Sequence, residues 1–565
     1  MKKKNSFSFV KFIFPLAFVV GLLSSCSQKN KEGKFIPADA SAVFLLNGKT
    51  FATKIPWAAI ENNAGIIAAF ADSSLPPELK KLMNAPAQSG IDIEAGVVIF
   101  SKQDQSGDYI AIEGNIKDEV AFTNFNKAFK EKGSFTENEG IKFVSLYPIC
   151  GGWNSSKFIY IFDVSSHRYN HSPASDSLKE IKPAHQPRDV LNTCQSLFYL
   201  AARESLAGDE RFSALMKQTA DVKFWLNHAQ LQKDGVNVNG FQLASFDNLL
   251  KESTTTGLLN FENGKIQVNL LNYAGKELTK LYKDFSGGKV NEPMLQRLPG
   301  KEIAAAFAIN FKQDGLRELL KLLNLDGLMN VTFTTLEFNA EDFVKASNGD
   351  VVVSISDLAF KNDSAIISEK DATPFSFSEQ MPAYDFIFTT NIGEKKSFNK
   401  LIRAGRGAGD RLLDEKMNQS LFFKNDSSFF ALSNNQQNAD KFIAATKNNA
   451  DFVSKISGEP FGAYVNLQAV IKASQLRVVK DSALLSFYDV SLKMWDNVLL
   501  KGGNFNNGGL AFQIDINLQD KKTGSLLQLY NYSNMLNQFF KQQQKLHADK
   551  NVAIDFSTTE QRKSK

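Results

Sequence analysis

The chain has 565 residues, 43% of them hydrophobic, which is enough material for more than one domain or for one unusually large core. Its formal charge is +5, but Lys2, Lys3, Lys4 and Lys11 open the chain with no acid among them, and +1 is left once that segment is removed. That excludes the concentrated basic surface a nucleic-acid binder needs. Phenylalanine is used 48 times against 12 Tyr and 4 Trp, and a ring with no polar handle belongs in an interior, which counts against a glycan-binding face of exposed Trp and Tyr.

Residues 1–25 read as a lipoprotein signal peptide: a lysine-rich start, then an apolar run from Phe12 to Leu23 that is too short to span a bilayer comfortably. The residues Leu23, Ser24, Ser25 and Cys26 resemble the lipobox of bacterial lipoproteins. By that resemblance Cys26 is the lipid attachment site and first mature residue, and two or three acyl chains on it hold the protein stably to a membrane. A polar tether over 26–34 follows. Ser27 stands where an Asp would retain a lipoprotein in the inner membrane of enteric bacteria, so the outer membrane is expected. The basic run "SQKNKEGK" lacks the acidic cluster associated with surface export, which favours the periplasmic face.

Further along, "IPADASAVFLLNGKTF" at 36–51 is echoed by "LPGKEIAAAFAINFKQ" at 298–313, and "DYIAIEGNIKDEVAF" by "YDFIFTTNIGEKKSF", with Asn115 on Asn391. Two later matches set Phe212 on Phe442 and Gly264 on Gly509. The order is kept, so an internal duplication is expected: one repeat unit over 35–290, a second over 298–545, a junction at Asn291–Arg297, and a polar tail over 546–565. The shrinking offset places an insertion in the first copy near 146–192.

Strand-like runs are "SAVFLL", "GVVIF", "YIAIEG", "FIYIF", "DVVVSIS", "DFIFTT" and "FFALS", alternating with amphipathic stretches at Glu119–Lys132 and Gly315–Leu323. Hairpin signals close each copy, with Asn263-Gly264 suited to a type I′ turn in the first. The expected class is α+β: two tandem copies of a strand/helix unit, with mostly antiparallel sheets and helices packed on one side. Six strands end in an asparagine, at Asn47, Asn115, Asn227, Asn310, Asn391 and Asn466, and the expected role is to cap the helix or turn that follows. Lipobox, opening motif, terminal asparagines and duplicated unit together resemble domain-of-unknown-function family 4836, large lipoproteins typical of Bacteroidota. The resemblance implies compartment and fold and brings no catalytic residues.

Candidate chemistry is sparse. "LLNGKT" at 45–50 has the end of a phosphate-binding loop, but Val43 stands where its first glycine is needed. His167 and His171, with His185 and Asp163 nearby, are weak metal candidates in a stretch that reads as a polar loop. Cys150 and Cys194 are the thiols left after Cys26, and an oxidising compartment favours a disulfide between them. "RAGRGAGD" fails the dinucleotide pattern at Asp410, and neither a nucleophile elbow nor a zincin motif occurs. The expectation is a non-enzymatic, lipid-anchored envelope protein serving as a binding or structural scaffold, with no cofactor and no nucleic-acid partner. Its partners would be the membrane and an envelope protein or glycan. The alternatives are glycan or nutrient capture at the outer membrane, supported if Trp57, Trp153, Trp225 or Trp495 is exposed, and a hydrolase with dispersed carboxylates.

Overall fold

A computed structural model describes residues 32–55, 88–92, 94–127, 133–164, 187–233, 252–332, 338–367, 375–412, 421–448, 450–476 and 482–539. The signal peptide, Cys26, most of the tether, Trp57, His167, His171, His185 and the polar tail lie outside these residues. The chain forms two compact units, the first based on residues up to Phe241 with 250–261, the second on Glu262–Gln528.

In the first unit the strands are β1 (Ala42–Leu46), β2 (Val97–Asp104), β3 (Gly107–Asn115), β4 (Ser134–Asn138), β5 (Ile141–Leu146), β6 (Ile149–Trp153), β7 (Lys157–Asp163), β8 (Val222–Asn227) and β9 (Thr254–Glu262). Every pairing is antiparallel, and the order across the sheet is β4, β5, β6, β7, β3, β2, β1, β8, β9. Alternation along the strands sends apolar side chains to both faces. Val43, Phe100, Ala111, Ile161 and Cys150 stand opposite one another in a row across five strands. Helices Val190–Phe198 and Glu210–Met216 cover that face, with Phe212 edge-on to Trp225 at 5.8 Å. On the other face helix Glu119–Lys127 sets Phe122 on Phe158 at 5.2 Å and against Trp153 at 5.6 Å. Burying a ring of this kind contributes about 1.5–3 kcal/mol.

The second unit holds β10 (Lys265–Tyr273), β11 (Ile303–Asn310), β12 (Ser347–Ile367), β13 (Phe375–Ile392), β14 (Phe422–Asn425), β15 (Phe429–Ser433), β16 (Phe461–Asn466), β17 (Trp495–Asn506) and β18 (Gly509–Leu518). These pair antiparallel in the order β14, β15, β13, β12, β11, β16, β17, β18, β10. Helices Glu292–Gln296, Gln436–Ile443 and Val453–Ile456 bring Met294, Leu295, Phe442 and Ile456 onto a core of Ala308, Val352 and Ala431. On the opposite face helix Lys395–Leu412 packs Phe398 against Phe430 at 5.4 Å.

The architecture is therefore mixed, helices with antiparallel sheet, as expected, and each strand-like run quoted above is a strand. Two expectations change. Helices lie on both faces of each sheet, because both faces are apolar in the middle of the sheet. The unit boundary falls at Phe261/Glu262, ahead of Asn291–Arg297. The reason is strand pairing: β10 runs beside β18 from Lys265 opposite Asn517 to Asn272 opposite Leu510, which draws it into the second unit.

Candidate functional site

Around the expected disulfide the structure holds two free thiols instead, both fully buried. Cys194 Sγ points to the carbonyl of Ile159 at 3.8 Å and Cys150 Sγ to that of Gly151 at 4.0 Å. Burial, and then the neighbouring Cys150 thiol, push the Cys194 thiol well up, so Cys194 is not set up as a nucleophile. Beside them lies an ion cluster built on the buried Arg188. Arg188 Nη1 and Nη2 donate to the two carboxylate oxygens of Asp104 at 2.6 and 2.8 Å, and Nη2 also donates to the Gly107 carbonyl at 2.8 Å. Its guanidinium lies 4.7 Å from the centre of the Tyr109 ring, with Nε 3.9 Å from Asp163. Tyr147 donates to the other Asp163 oxygen at 3.2 Å. Asp163, which lies near the histidine candidates in sequence, is thus held by an arginine and a tyrosine.

His228 sits away from these groups: its Nε2 lies 2.7 Å from Thr255 Oγ1, and burial lowers its pKa, which keeps the ring neutral. Gly48, Lys49 and Thr50, the remnant of a phosphate loop, open the seven-residue helix Gly48–Lys54. Among the described residues no group of three metal-ligating side chains converges. Trp153 and Trp225 are core residues, 0% and 1% exposed, so the exposed-aromatic platform does not arise at either.

The terminal asparagines divide into two kinds. Asn47, Asn227 and Asn466 accept from the backbone N–H of Thr50, Gln230 and Ala469 at 3.5, 3.3 and 3.0 Å and cap the next helix, as expected. Asn115 donates instead to the Ala95 carbonyl at 3.3 Å. Asn310 and Asn391 each donate to Asp350, both at 2.7 Å, and Asn291 joins them at 3.2 Å. The Asp350 N–H returns a bond to Asn391 Oδ1 at 3.1 Å. Three amides on one buried carboxylate form a closed network that ties β11, β12 and β13 together at one end.

A more open polar surface lies on one face of β10, β18 and β17. Gln267 stands opposite Asp515, Asn269 opposite Gln513, Lys265 opposite Asn517, and Asn517 opposite Asn497. Gln267 Nε2 donates to Asp515 Oδ1 at 3.2 Å, and Gln513 Nε2 reaches its two oxygens at 3.2 and 3.0 Å. Asn517 donates to Asn497 at 2.8 Å, while Lys265 stands 3.7 Å from Asp515. All are half-buried. This ladder of amides around one carboxylate offers both donors and acceptors in a plane, the chemistry that meets hydroxyl groups or another amide-bearing surface. It was visible in the sequence as alternation in "KIQVNL" and "FQIDINL", where every second residue is polar.

Comparisons with known proteins add a family and little more. A family model described as Domain of unknown function (DUF4836) matches residues 33–448. No curated protein matches the chain. Among solved structures, crystal form III of a protein titled TP0453 is similar at 13% identity over 45% of this chain and 82% of that one, with a TM-score of 0.26. Crystal form IV gives 12% identity over 46% and 87%, with a TM-score of 0.24. At such scores the likeness carries no argument.

The ion cluster yields a pH signature. Burial pushes the Asp104 carboxyl up, but the Arg188 hydrogen bonds, the Ser106 N–H and the guanidinium charge outweigh it, and its pKa is lowered. A lowered folded-state pKa contributes stability above the unfolded value of about 3.9, and that contribution is lost as pH falls through the folded value. Asp104→Asn should therefore unfold at lower urea than the parent at pH of about 6–7, with the gap closing below pH of about 4. A gap that stays constant down to pH of about 3 contradicts this assignment.

Proposed function

The chain belongs to the domain-of-unknown-function family DUF4836, and from that premise we propose a non-enzymatic, lipid-anchored scaffold of the cell envelope, built from two copies of one unit. The observation that carries the duplication is a common strand order. The run β6, β7, β3, β2, β1, β8, β9 in the first unit corresponds to β14, β15, β13, β12, β11, β16, β17 in the second. β1 and β11 take the same central place, and Asn47 and Asn310 stand at their ends. In this correspondence helix Gln436–Ile443 follows β15 as Val190–Phe198 follows β7, so the Phe212–Phe442 match drops out. The insertion near 146–192 narrows as well. Since β6 and β7 have counterparts, what the first copy adds is the β4–β5 hairpin and the residues between Asp163 and Arg188.

Anchoring rests on Cys26 and on how soon the fold begins. Phe35 and Ile36 are already buried, at 5% and 0% exposure. The stretch from Cys26 to Glu32 spans about 20 Å at full extension, so acyl chains on Cys26 would hold the first unit close to the bilayer. Support for scaffolding over chemistry comes from where the buried charges go. Asp350 is held by three asparagines, Arg188 by Asp104, Asp342 by Lys400 at 2.9 Å, and Glu113 by Lys157 at 2.9 Å. Each such group stabilises packing where a catalytic carboxylate would face a cleft. Periplasmic-face attachment to an outer membrane follows from the residues after Cys26.

A second reading, glycan or nutrient capture, takes its support from the amide ladder around Asp515, which suits neutral polyhydroxyl ligands. Replacing Cys26 with Ser should leave the leader uncleaved by the lipoprotein pathway and move the protein from the membrane to the soluble fraction. Unaltered processing and fractionation contradict the anchor. For the second reading, an envelope glycan at 100-fold excess over its Kd should stabilise the parent by about 2.7 kcal/mol in thermal unfolding, and the Gln267→Ala/Asp515→Ala variant should lose that shift. Equal shifts in parent and variant, or none with any glycan, contradict it.

A further inference from the structure

His228 stands where β8 ends and helix His228–Lys233 begins, and it is 9% exposed. Its backbone N–H donates to the Ser253 carbonyl at 3.1 Å, and its Nε2 lies 2.7 Å from Thr255 Oγ1, so ring and backbone both hold the start of β9. The other ring nitrogen, Nδ1, is buried and has no hydrogen-bond partner.

The strand held in this way is short of apolar grip. Ser253, Thr254, Thr255 and Thr256 are all buried, so four hydroxyl-bearing residues in a row enter the interior where β1 and β3 send apolar ones. A buried hydroxyl gains little beyond the bonds it makes. At this end of the ladder, where Asn227 pairs with Thr254 and Leu226 with Thr255, the imidazole ties helix to strand.

Charge makes that tie conditional. A neutral imidazole offers one donor and one acceptor, and the Thr255 hydroxyl can meet either. A protonated ring carries two N–H donors, and the one on Nδ1 becomes a buried cationic donor with nothing to accept it. The charged groups on the elements around it are engaged elsewhere. Around β8, Asp221 is paired with Lys54, and Lys223 donates to the Met216 carbonyl at 2.6 Å. Ahead of β1, whose neighbour Ser41 accepts from the Asn227 N–H, Asp39 is paired with Lys102 at 2.7 Å. Glu252 before β9 is exposed, Glu262 at its far end is paired with Lys265 at 3.2 Å, and the first turn of helix His228–Lys233 holds no acid. Burial is what lowers the His228 pKa, with no charged neighbour contributing among the described residues.

We infer that His228 is an acid-sensitive latch: on taking up a proton it releases helix His228–Lys233 from the start of β9, while the rest of the first unit stays folded. The direction follows from linkage. The opened state binds the proton at the ordinary histidine value of about 6.5 and the closed state only below it, so the latch holds above pH of about 6.5 and loosens as pH falls from there.

Amide exchange on the full chain tests this, with rates corrected for the intrinsic effect of pH. From pH of about 7.5 to about 5.5 the opening of residues 229–233 and 254–256 increases about three- to tenfold, the ceiling being one proton over one pH unit, while helix Gln436–Ile443 does not change. His228→Gln keeps a donor and an acceptor but takes no charge, and its opening is independent of pH. Should that variant not fold, the imidazole resonances of the parent decide, since one of the five histidines then titrates well below the others. An increase shared equally by helix Gln436–Ile443, an unchanged rate at 229–233 and 254–256, a pH dependence retained in His228→Gln, or five rings titrating together near pH of about 6.5 overturns the inference.

Discussion

Everything in this structure depends on two short strands being paired along both of their edges. β1 runs between β2 and β8, and β11 runs between β12 and β16, with ladder hydrogen bonds on each side. A strand held that way cannot slip by one residue without turning its apolar side chains to the wrong face. In β1 that constraint is sharp: Val43 is fully buried while its neighbour Phe44 is 40% exposed. Once the central register is set, flanking strands add outward in turn. Both faces then present apolar rows, and helices are drawn to both.

The polar interior follows from the same constraint. Strands that end inside a protein leave carbonyls and N–H groups to be satisfied, and burying a charge is costly unless it is paired. Three asparagines cap helices directly, whereas at the end of β11, β12 and β13 a single carboxylate, Asp350, collects three amides. In the first unit Arg188 does the comparable work, holding Asp104, the Gly107 carbonyl and the Tyr109 ring at once. The amide ladder on β10, β17 and β18 is what these pairings leave half-buried and polar on a sheet face.

Much of this was legible in the residues, and the rest was hidden for stated reasons. Period-two apolar runs gave the strands, and asparagine at a strand end gave the caps at residues 47, 227 and 466. The bonds from Asn310 and Asn391 to Asp350 were not legible, because they depend on neighbouring strands brought together from 40 residues away. Cysteine spacing suggested a bridge, yet spacing says nothing about where a sulfur points, and each thiol faces a backbone carbonyl. The unit boundary was displaced because β10 looks like the end of one copy and pairs with the last strand of the other unit. Exposed tryptophan would have supported the glycan alternative, whereas Trp153 and Trp225 fill the centre of packed aromatic clusters.

The most direct measurement is amide hydrogen exchange on the intact protein, resolved to individual strands. If doubly paired central strands organise each unit, the amides of Ala42–Leu46 and Ile303–Asn310 exchange most slowly within their units, and those of the edge strands Ser134–Asn138 and Phe422–Asn425 exchange first. Fast exchange in the two central strands beside protected edges would contradict the account.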